Sequence, residues 1–257
     1  MNKRLMFSAA LVMALLSANA QKRAFTIEDL YRVKGVSSVS LSPDGKTVCY
    51  TASSSDLKNQ KSGSDIYIMN ADGSHAKALT EDGKSSSAVW SKDGKSIFFT
   101  NYEKGTAQIF RMDLTTCETE QITDYELGIG SPVISPDERY IAFTAEVYPD
   151  LGADAKANKA RMEKKEQGPV QAHIADKLLY RHWTSYSDGR CNHLILFDTQ
   201  TKTYRDLTPG NYSLIFVVGG GITYQFSPDS KEICFVSNHD EHQEASTNAD
   251  LWTVSVN

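Results

Sequence analysis

The sequence predicts an all-β protein: a partial β-propeller of about three and a half four-stranded blades, with a helical insertion in the third blade. Three observations predict this fold class: a repeated turn-and-strand motif, a second strand pair that follows the motif, and a repeat length near 45 residues. Four-stranded antiparallel units of that length are typical of propeller blades, and they exclude solenoids built from helix pairs.

The repeated motif consists of a large apolar residue, a tight turn and a strand rich in β-branched and aromatic residues. Ser, Pro, Asp and Gly in the turn favour a chain reversal, and the apolar run after it favours a half-buried strand. The motif therefore predicts a hairpin. Its four copies are residues 41–50, 90–99, 134–143 and 226–235.

A second strand–turn–strand pattern follows three of these hairpins, at residues 65–80, 108–123 and 193–208. The hairpin aspartates Asp44, Asp93, Asp137 and Asp229 lie 49, 44 and 92 residues apart. We attribute the doubled interval to an insertion rather than to a hidden blade. The predicted blades are residues 36–80, 81–123, 124–208 with the insertion at 148–191, and an incomplete blade at 209–257.

The insertion lacks the strand alternation of its surroundings. Residues 153–167 are rich in good helix formers, and Gly168-Pro169 predicts the end of that helix. Residues 171–180 predict a second short helix. Because blades pack face to face, an insertion of this length is expected to leave through a loop and to lie on the rim or a face of the propeller.

The first 20 residues have the pattern of a cleaved signal peptide. Lys3 and Arg4 precede the apolar residues 5–16, and Ala18 and Ala20 form a small-x-small cleavage site. Twelve apolar residues fall short of the roughly 20 that span a bilayer. We therefore expect no membrane span, a mature chain that begins at Gln21, and a periplasmic or extracellular location.

The net charge and the cysteine spacing indicate which partners and cofactors are not expected. The chain has a formal net charge of −5, which becomes −7 without Lys3 and Arg4, so nucleic acid is not an expected partner. The spacing of the four cysteines suggests no metal site, and no cofactor is predicted. Cys49 and Cys234 occupy equivalent strand positions, five residues after Asp44 and Asp229, and are expected to be small core side chains.

The segments outside the hairpins resemble the N-terminal propeller of the prolyl oligopeptidase family of serine peptidases, most closely its secreted bacterial dipeptidyl-peptidase V branch. Three stretches carry the resemblance: the entry segment at 25–36, the Leu-Tyr-Arg-His-Trp insertion at 179–183, and the Gly219-Gly220-Gly221 segment with the blade that follows it. The resemblance covers residues 25–257.

The resemblance implies an α/β-hydrolase catalytic domain after the propeller, and this sequence departs from the family there. A nucleophile elbow requires Gly-x-Ser-x-Gly, and residues 1–257 contain no such pentapeptide. We therefore assign no catalytic residue, expect the catalytic domain to be absent, and predict that this chain is inactive alone. The peptide substrate would be processed through that domain, and the resemblance is compatible with an oligomeric full-length enzyme.

A dipeptidyl peptidase has to bind a free N-terminal ammonium, for which carboxylates and amide oxygens are suited. The polar loop at 239–248 offers Glu241, Glu244 and Asn248 as substrate-binding candidates, against the alternative of a solvated loop without a ligand. His239 and His242 in this loop lack the spacing of zinc-peptidase ligands, so no metal is predicted.

Arg181 and Trp183 in the insertion are two further substrate-binding candidates, expected at the mouth of the cavity. The alternative is that Trp183 packs the insertion onto the propeller and Arg181 pairs with a surface carboxylate.

The sequence thus predicts the non-catalytic propeller of an exported serine dipeptidyl peptidase, which restricts access and helps to bind the substrate N-terminus. The alternative is a periplasmic protein-binding propeller that resembles TolB-like scaffolds, because these share the Ser-Pro-Asp-Gly turn. That class predicts a preceding α/β domain, for which the residues before the first blade are too few.

Overall fold

The computed structural model describes residues 23–175, 178, 180–214 and 223–257, without the side chains of His182 and Glu244. The predicted signal peptide and the Gly219-Gly220-Gly221 segment lie outside the described residues. No helix in the described ranges is long and apolar enough to cross a membrane.

Four antiparallel sheets follow one another along the chain, each with its strands in sequence order, so the predicted fold class is confirmed. A short helix, α1 (Ile27–Leu30), precedes them, and α2 (Ala155–Glu166) lies in the third blade. The sheets are not closed into a ring, and the described part of the fourth has three strands.

The strands of the first two blades are β1 (Gly35–Leu41), β2 (Thr47–Asp56), β3 (Lys61–Asn70), β4 (Lys77–Ala78), β5 (Ser85–Trp90), β6 (Ser96–Asn101), β7 (Gln108–Asp113) and β8 (Thr119–Gln121). Those of the third blade are β9 (Gly130–Ile134), β10 (Tyr140–Val147), β13 (Cys191–Asp198) and β14 (Thr203–Asp206). Between β10 and β13, the insertion adds the hairpin β11 (Arg181–His182) and β12 (Ser185–Tyr186). The fourth blade has β15 (Tyr224–Phe226), β16 (Glu232–Ser237) and β17 (Asp250–Ser255).

The core consists of three apolar layers, one between each pair of neighbouring sheets. Alternate residues of one strand belong to different layers: Ile141 and Phe143 of β10 face the second blade, whereas Tyr140 and Ala142 face the fourth. Because side chains alternate across a strand, each sheet is apolar on both faces and needs two neighbours.

The repeated turns share one hydrogen-bond pattern. In the first, the Ser42 hydroxyl donates to Asp44 Oδ1 (2.6 Å) and accepts from the Thr47 amide (2.9 Å), while Asp44 accepts from the Lys46 amide (3.1 Å). The Ser42 hydroxyl and the Lys46 amide hold the pKa of Asp44 below its ordinary value. Ser and Asp are therefore retained in every turn because each satisfies the backbone that the reversal exposes. The equivalent Ser–Asp pairs are Ser91–Asp93, Ser135–Asp137 and Ser227–Asp229.

The residue after the turn aspartate is left-handed in all four blades, and its identity depends on the neighbouring blade. Glycine occupies this position in the first two blades, whereas Glu138 (φ 61°) and Ser230 (φ 62°) occupy it in the last two. Glu138 accepts a hydrogen bond from the Lys92 amide of the preceding blade, and Ser230 accepts one from the Asp137 amide (3.2 Å). These contacts offset the strain that a non-glycine residue meets there.

A threonine after the fourth strand fastens each of the first three blades at the opposite end. Thr80 accepts from the Ile66 amide, Thr123 from the Ile109 amide and Thr208 from the Leu194 amide, all at 2.9 Å. The threonine of each Leu-Thr or Ile-Thr pair in the sequence thus hydrogen-bonds the end of the fourth strand to the third strand of the same blade.

Two sequence-based expectations are wrong. Cys49 is buried between the first two blades, but Cys234 is exposed because no sheet covers the far face of the fourth blade among the described residues. The described residues of 171–180 are irregular rather than helical. There, the chain leads into the β11–β12 hairpin and the rings of His173, Tyr180 and Tyr186 stack, which requires an open backbone.

We predict that Gly130 of β9 tolerates no side chain while Thr144 is present. A Cβ at position 130 would lie 2.5 Å from Thr144 Oγ1, closer than packed atoms approach. Gly130→Ala should lower the free energy of unfolding by about 1–3 kcal/mol, as overpacking does. Urea denaturation of Gly130→Ala, Thr144→Ala and the double variant checks this. The double variant should recover most of the loss, and an equal loss with and without Thr144 would contradict the clash.

Candidate functional site

The alternation of strand direction sorts the connections onto two faces of the propeller. The turn face carries the Ser–Asp turns and the connections between third and fourth strands. The loop face carries the connections between second and third strands and those between blades. The second-to-third connections are residues 57–60, 102–107, 148–190 and 238–249, so the insertion and the acidic loop share the loop face.

The acidic loop, residues 238–249, is held together by its own polar side chains. Asp240 accepts from the Ser246 hydroxyl, and the Asn248 side-chain amide donates to Asp240 (3.4 Å) and to Asp250 (3.1 Å). One amide thus bridges two carboxylates, and both oxygens of Asp240 accept hydrogen bonds from within the loop.

The three candidates predicted in this loop have different settings. Glu241 is exposed and has no hydrogen-bond or ion-pair partner among the described residues. Asn248 is exposed and ties the loop together rather than standing free. Glu244 lies in a single 3₁₀ turn, Gln243–Ala245, and its side chain is outside the described part. Sequence reasoning missed Asp240 and Asp250, whose closeness depends on the fold of the loop.

A stack of three rings anchors the acidic loop to the propeller. The His239 ring lies between Tyr212 and Trp252, with centroid distances of 4.0 and 4.1 Å and interplanar angles of 18° and 27°. Trp252 also donates from Nε1 to the Ser237 carbonyl (3.2 Å). More than a third of Trp252 is exposed, because the His239 ring rather than a blade covers it.

The insertion is fastened at its root by one buried amide. The side chain of Asn158 in α2 accepts from the Tyr148 amide (2.7 Å) and donates to the carbonyls of Gly152 (3.0 Å) and Asp154 (2.8 Å). Arg190 at the far end pairs with Asp188 (2.9 Å) and Glu146 (3.0 Å). Both ends of the insertion are thus fixed to β10.

Arg181 and Trp183 lie in and beside the β11–β12 hairpin, away from this root. The Arg181 guanidinium lies 6.0 Å from the centre of the Tyr186 ring, and within the described ranges it forms no ion pair with a carboxylate. Trp183 occupies the hairpin turn with φ 50° and is 83% exposed. The alternative in which Trp183 packs the insertion onto the propeller is therefore wrong, because a packed indole would be buried.

The loop face also contains a cavity of about 340 Å³ between the second and third blades. It is lined by residues 105–107 and 127–130, together with Tyr102, Thr144, Glu146 and Asn192 among others. A polar hollow with a carboxylate at its edge suits a small polar or cationic ligand. The sequence had no signal for it, since its walls come from four separate segments.

A buried ion pair lies under the loop face of the third blade. His193 is fully buried, with Nδ1 at 2.7 Å from Asp206 Oδ2 and Nε2 at 2.9 Å from the Gly210 carbonyl. Burial alone would lower the pKa of His193, but the hydrogen bond and the charge of Asp206, with the Gly210 carbonyl, outweigh burial and raise it to about 9. Both ring nitrogens therefore donate at neutral pH, which fixes the connection to the fourth blade.

The structure places the predicted site residues on one face but in two separate groups. The hydrogen bonds and ring contacts that it shows for Arg181 and Tyr186 stay within the insertion, and those of Asn248 stay within the acidic loop. Among the described residues, no group of three His, Cys, Asp or Glu side chains could hold a metal ion. What the face offers is carboxylates, aromatic rings and a polar hollow.

Comparison with known proteins identifies the family. Residues 19–167 match the model of the TolB beta propeller domain, which covers more than half of the chain. The protein belongs to this propeller family.

Its relatives include peptidases. The chain is 29% identical over 228 residues to dipeptidyl-peptidase 5 of Porphyromonas gingivalis; the match covers 86% of this chain and 32% of that protein. This chain thus spans about a third of the length of that relative. The predicted resemblance to the propeller of prolyl oligopeptidase-family peptidases is confirmed.

Solved structures show the same fold. The acylaminoacyl peptidase of Pyrococcus horikoshii superposes with a TM-score of 0.61 at 17% identity, over 88% of this chain and 31% of that one. TolB from Acinetobacter baumannii superposes with a TM-score of 0.51 at 18% identity, over 85% of this chain and 42% of that one. Peptidase propellers and TolB-like propellers are thus both structural relatives.

We predict that the His193–Asp206 pair makes stability depend on pH above neutrality. The pKa of His193 is raised in the folded state, so its contribution is complete below pH 6.5 and is lost as the pH rises through about 9. A shift of this size corresponds to about 3 kcal/mol. Gln108 holds the equivalent position in the second blade, so His193→Gln should fold and remove this decline.

Urea denaturation between pH 6 and pH 10 measures the effect, with His75→Gln on the turn face as the matched control. His193→Ala should lose about 3–5 kcal/mol at pH 7, because it leaves Asp206 buried and unpaired. A decline of equal size in wild type and His193→Gln would contradict the assignment.

Proposed function

We propose that this chain is the non-catalytic propeller portion of an exported serine dipeptidyl peptidase, in which it restricts access to the active site and helps to bind the N-terminus of the peptide. The observation that carries the proposal is the position of the acidic loop and the insertion on one face of a propeller whose sequence relative is a dipeptidyl peptidase.

The acidic loop supplies the recognition chemistry. A peptide N-terminus carries a positive charge and three donors, and it is best held by carboxylates that are already oriented. Asp240 and Asp250 are oriented by Asn248, and Glu241 is free beside them. The stacked rings of Tyr212, His239 and Trp252 support the loop from behind, which lowers the entropy lost on binding.

The insertion supplies the steric element. It rises from β10 and β13 on the loop face, and its root is fixed by Asn158 and Arg190. A projection on the same face as the acidic loop excludes wide, folded substrates and admits short chains. Arg181 and Trp183 stand at its exposed end, where they can contact a peptide that passes toward the loop.

Bond cleavage would come from a Ser-His-Asp triad outside this chain. In that chemistry a serine hydroxyl attacks the scissile carbonyl while a histidine takes its proton, and an acyl-enzyme forms that water later hydrolyses. The propeller contributes binding energy and position to this reaction and no reacting atom. The apolar leader at residues 5–16 supports export of the protein to the periplasm or beyond.

A second candidate function is favoured by the family match itself. TolB-like propellers share both the repeat and the fold of this chain. On that alternative the loop face would bind a folded protein rather than a peptide terminus, and the exposed rings of the insertion would lie in the interface.

We predict that the chain binds dipeptides through their free amine. Titration of the protein with Ala-Phe, followed by NMR or calorimetry, should show at least tenfold weaker binding of the N-acetylated dipeptide, because acetylation removes the charge. Glu241→Gln should weaken binding several-fold, whereas Glu118→Gln on the turn face should leave it unchanged. Equal binding of free and acetylated dipeptides would refute this role of the acidic loop and favour the TolB-like alternative.

We also predict that the chain alone does not hydrolyse dipeptidyl chromogenic substrates, since residues 1–257 contain no Gly-x-Ser-x-Gly. The measurement is absorbance of the released chromophore over several hours. Robust turnover that survives every serine substitution would overturn the proposed division between binding and catalysis.

A further inference from the structure

The connection from the third blade to the fourth contains a short segment that is fastened at both ends; we call residues 209–212 the strap. Before the strap, the Leu207 amide donates to the Leu194 carbonyl of β13 (2.8 Å). After it, the Leu214 amide donates to the Asn192 carbonyl of the same strand (2.7 Å). Because both ends are fixed to β13, a displacement of the connection is confined to the four residues of the strap.

One buried side chain holds the middle of the strap to the third blade. His193 is fully buried, and its Nε2 lies 2.9 Å from the Gly210 carbonyl while its Nδ1 lies 2.7 Å from Asp206. The protonated ring has two N–H groups and satisfies both acceptors, whereas the neutral ring has one. The neutral ring keeps its proton toward the carboxylate, since a hydrogen bond to a charged acceptor is the stronger one. Loss of one proton therefore removes the bond to Gly210 and sets two lone pairs against each other there.

The strap also contacts the acidic loop, through Tyr212. The Tyr212 ring lies so close to Gly210 that a Cβ at position 210 would be 3.0 Å from Tyr212 Cδ2. The same ring stacks on His239 at 4.0 Å, and the His239 ring stacks on Trp252 at 4.1 Å. A movement of Gly210 therefore moves the Tyr212 ring, and with it the support of the His239 ring.

The first two blades hold their connections from the same strand position with groups of a different kind. Asp65 accepts from the Gly83 amide (3.0 Å), and Gln108 donates to the Tyr125 carbonyl (2.7 Å). Carboxylates and amides exchange no proton between neutral and alkaline pH. Of these three connections, the one held by His193 is therefore the one that responds to alkaline solution.

Asp206, the Cys191 thiol and Tyr125 are the titratable groups that bear on the His193–Asp206 pair in the described part of the chain. Burial lowers the pKa of His193, but its hydrogen bonds to Asp206, Cys191 and the Gly210 carbonyl together raise it to about 9. Tyr125 stays neutral, because burial and the charge of Asp206 raise its pKa. The bond to the strap is thus complete below pH 6.5 and is lost as the pH rises through about 9.

We propose that the strap couples the protonation state of His193 to the acidic loop: the doubly protonated ring holds the strap against the His239 stack, and loss of one proton withdraws that support. The fold thereby contains a conformational switch, in which a local change of charge biases the position of a short segment. This coupling needs no ligand and does not rest on the proposed peptidase role.

Fluorine NMR of the full chain labelled with 5-fluorotryptophan measures the coupling, with the signals assigned by single Trp→Phe substitutions. Trp252 reports the stack. Trp90, whose Nε1 donates to the Ser40 carbonyl between the first two blades (3.1 Å), reports global folding. Between pH 7 and pH 10 the Trp252 signal should shift with a midpoint of about 9, while the Trp90 signal stays in place.

Two substitutions interrupt the coupling at different points. His193→Gln should abolish the Trp252 transition, because glutamine donates to the Gly210 carbonyl at every pH, as Gln108 does to its own connection. Tyr212→Leu should also abolish it, although the stability of this variant in urea still declines with pH because His193 still titrates. Cys191→Ala is the control for the neighbouring thiol and should retain the transition.

A third substitution should mimic the alkaline state at neutral pH. Gly210 has φ 133°, and a Cβ there displaces the Tyr212 ring, so Gly210→Ala should show the alkaline Trp252 signal already at pH 7. Gly73→Ala is the matched control. Gly73 is also left-handed (φ 86°), but no atom lies within 4 Å of its Cβ position, so the signal should stay unchanged.

A Trp252 signal that stays constant to pH 10 would overturn the coupling, as would equal signals in Gly210→Ala and Gly73→Ala. A transition that persists in His193→Gln would place the titration on His239 or Tyr212 themselves and overturn it too. So would a transition that persists in Tyr212→Leu, one that is lost in Cys191→Ala, or a joint shift of Trp90 and Trp252, which marks global unfolding. Since no ligand is present, failure of dipeptide binding leaves the coupling standing, and a constant Trp252 signal leaves the proposed function standing.

Discussion

The structure depends on one constraint: each four-stranded sheet has two apolar faces, and only neighbouring sheets can bury them. In β10, Ile141 and Phe143 pack against the second blade and Tyr140 and Ala142 against the fourth. No blade has a core of its own, so stability resides in the layers between blades. The same constraint explains why Cys49 is buried while Cys234, at the equivalent position of the fourth blade, is exposed.

Polar side chains position the blades against one another at both ends of the sheets. On the turn face, Glu138 and Ser230 each accept from a backbone amide of the preceding blade. Under the loop face, threonine hydroxyls hydrogen-bond the ends of fourth strands to third strands, and the third blade adds the His193–Asp206 pair. Because these groups are hydrogen-bonded, they join neighbouring blades on the turn face and strands of one blade under the loop face without leaving an unpaired charge inside.

The residue types on the loop face could be predicted from the sequence, but their contacts with one another could not. The local pattern of Asp, Glu and Asn identified the acidic loop, since such residues are read directly from sequence. The bridge from Asn248 to Asp240 and Asp250 depends on the fold of the loop, whereas the stack of Tyr212, His239 and Trp252 joins residues up to 40 positions apart. The stack depends on how the connection between two blades meets the fourth blade, and a periodic pattern carries no information about that meeting.

The sequence by itself determined the repeated turns, the strands of the repeats and the fold class. Alternation of apolar side chains, Ser–Asp turns and the repeat length are local properties, and each is satisfied within one hairpin or one sheet. Only the tertiary structure decided which side chains are covered, because coverage is a property of the neighbour. A neighbouring sheet buries Cys49, the lack of one among the described residues exposes Cys234, and the His239 ring places Trp252 at the edge of an aromatic stack.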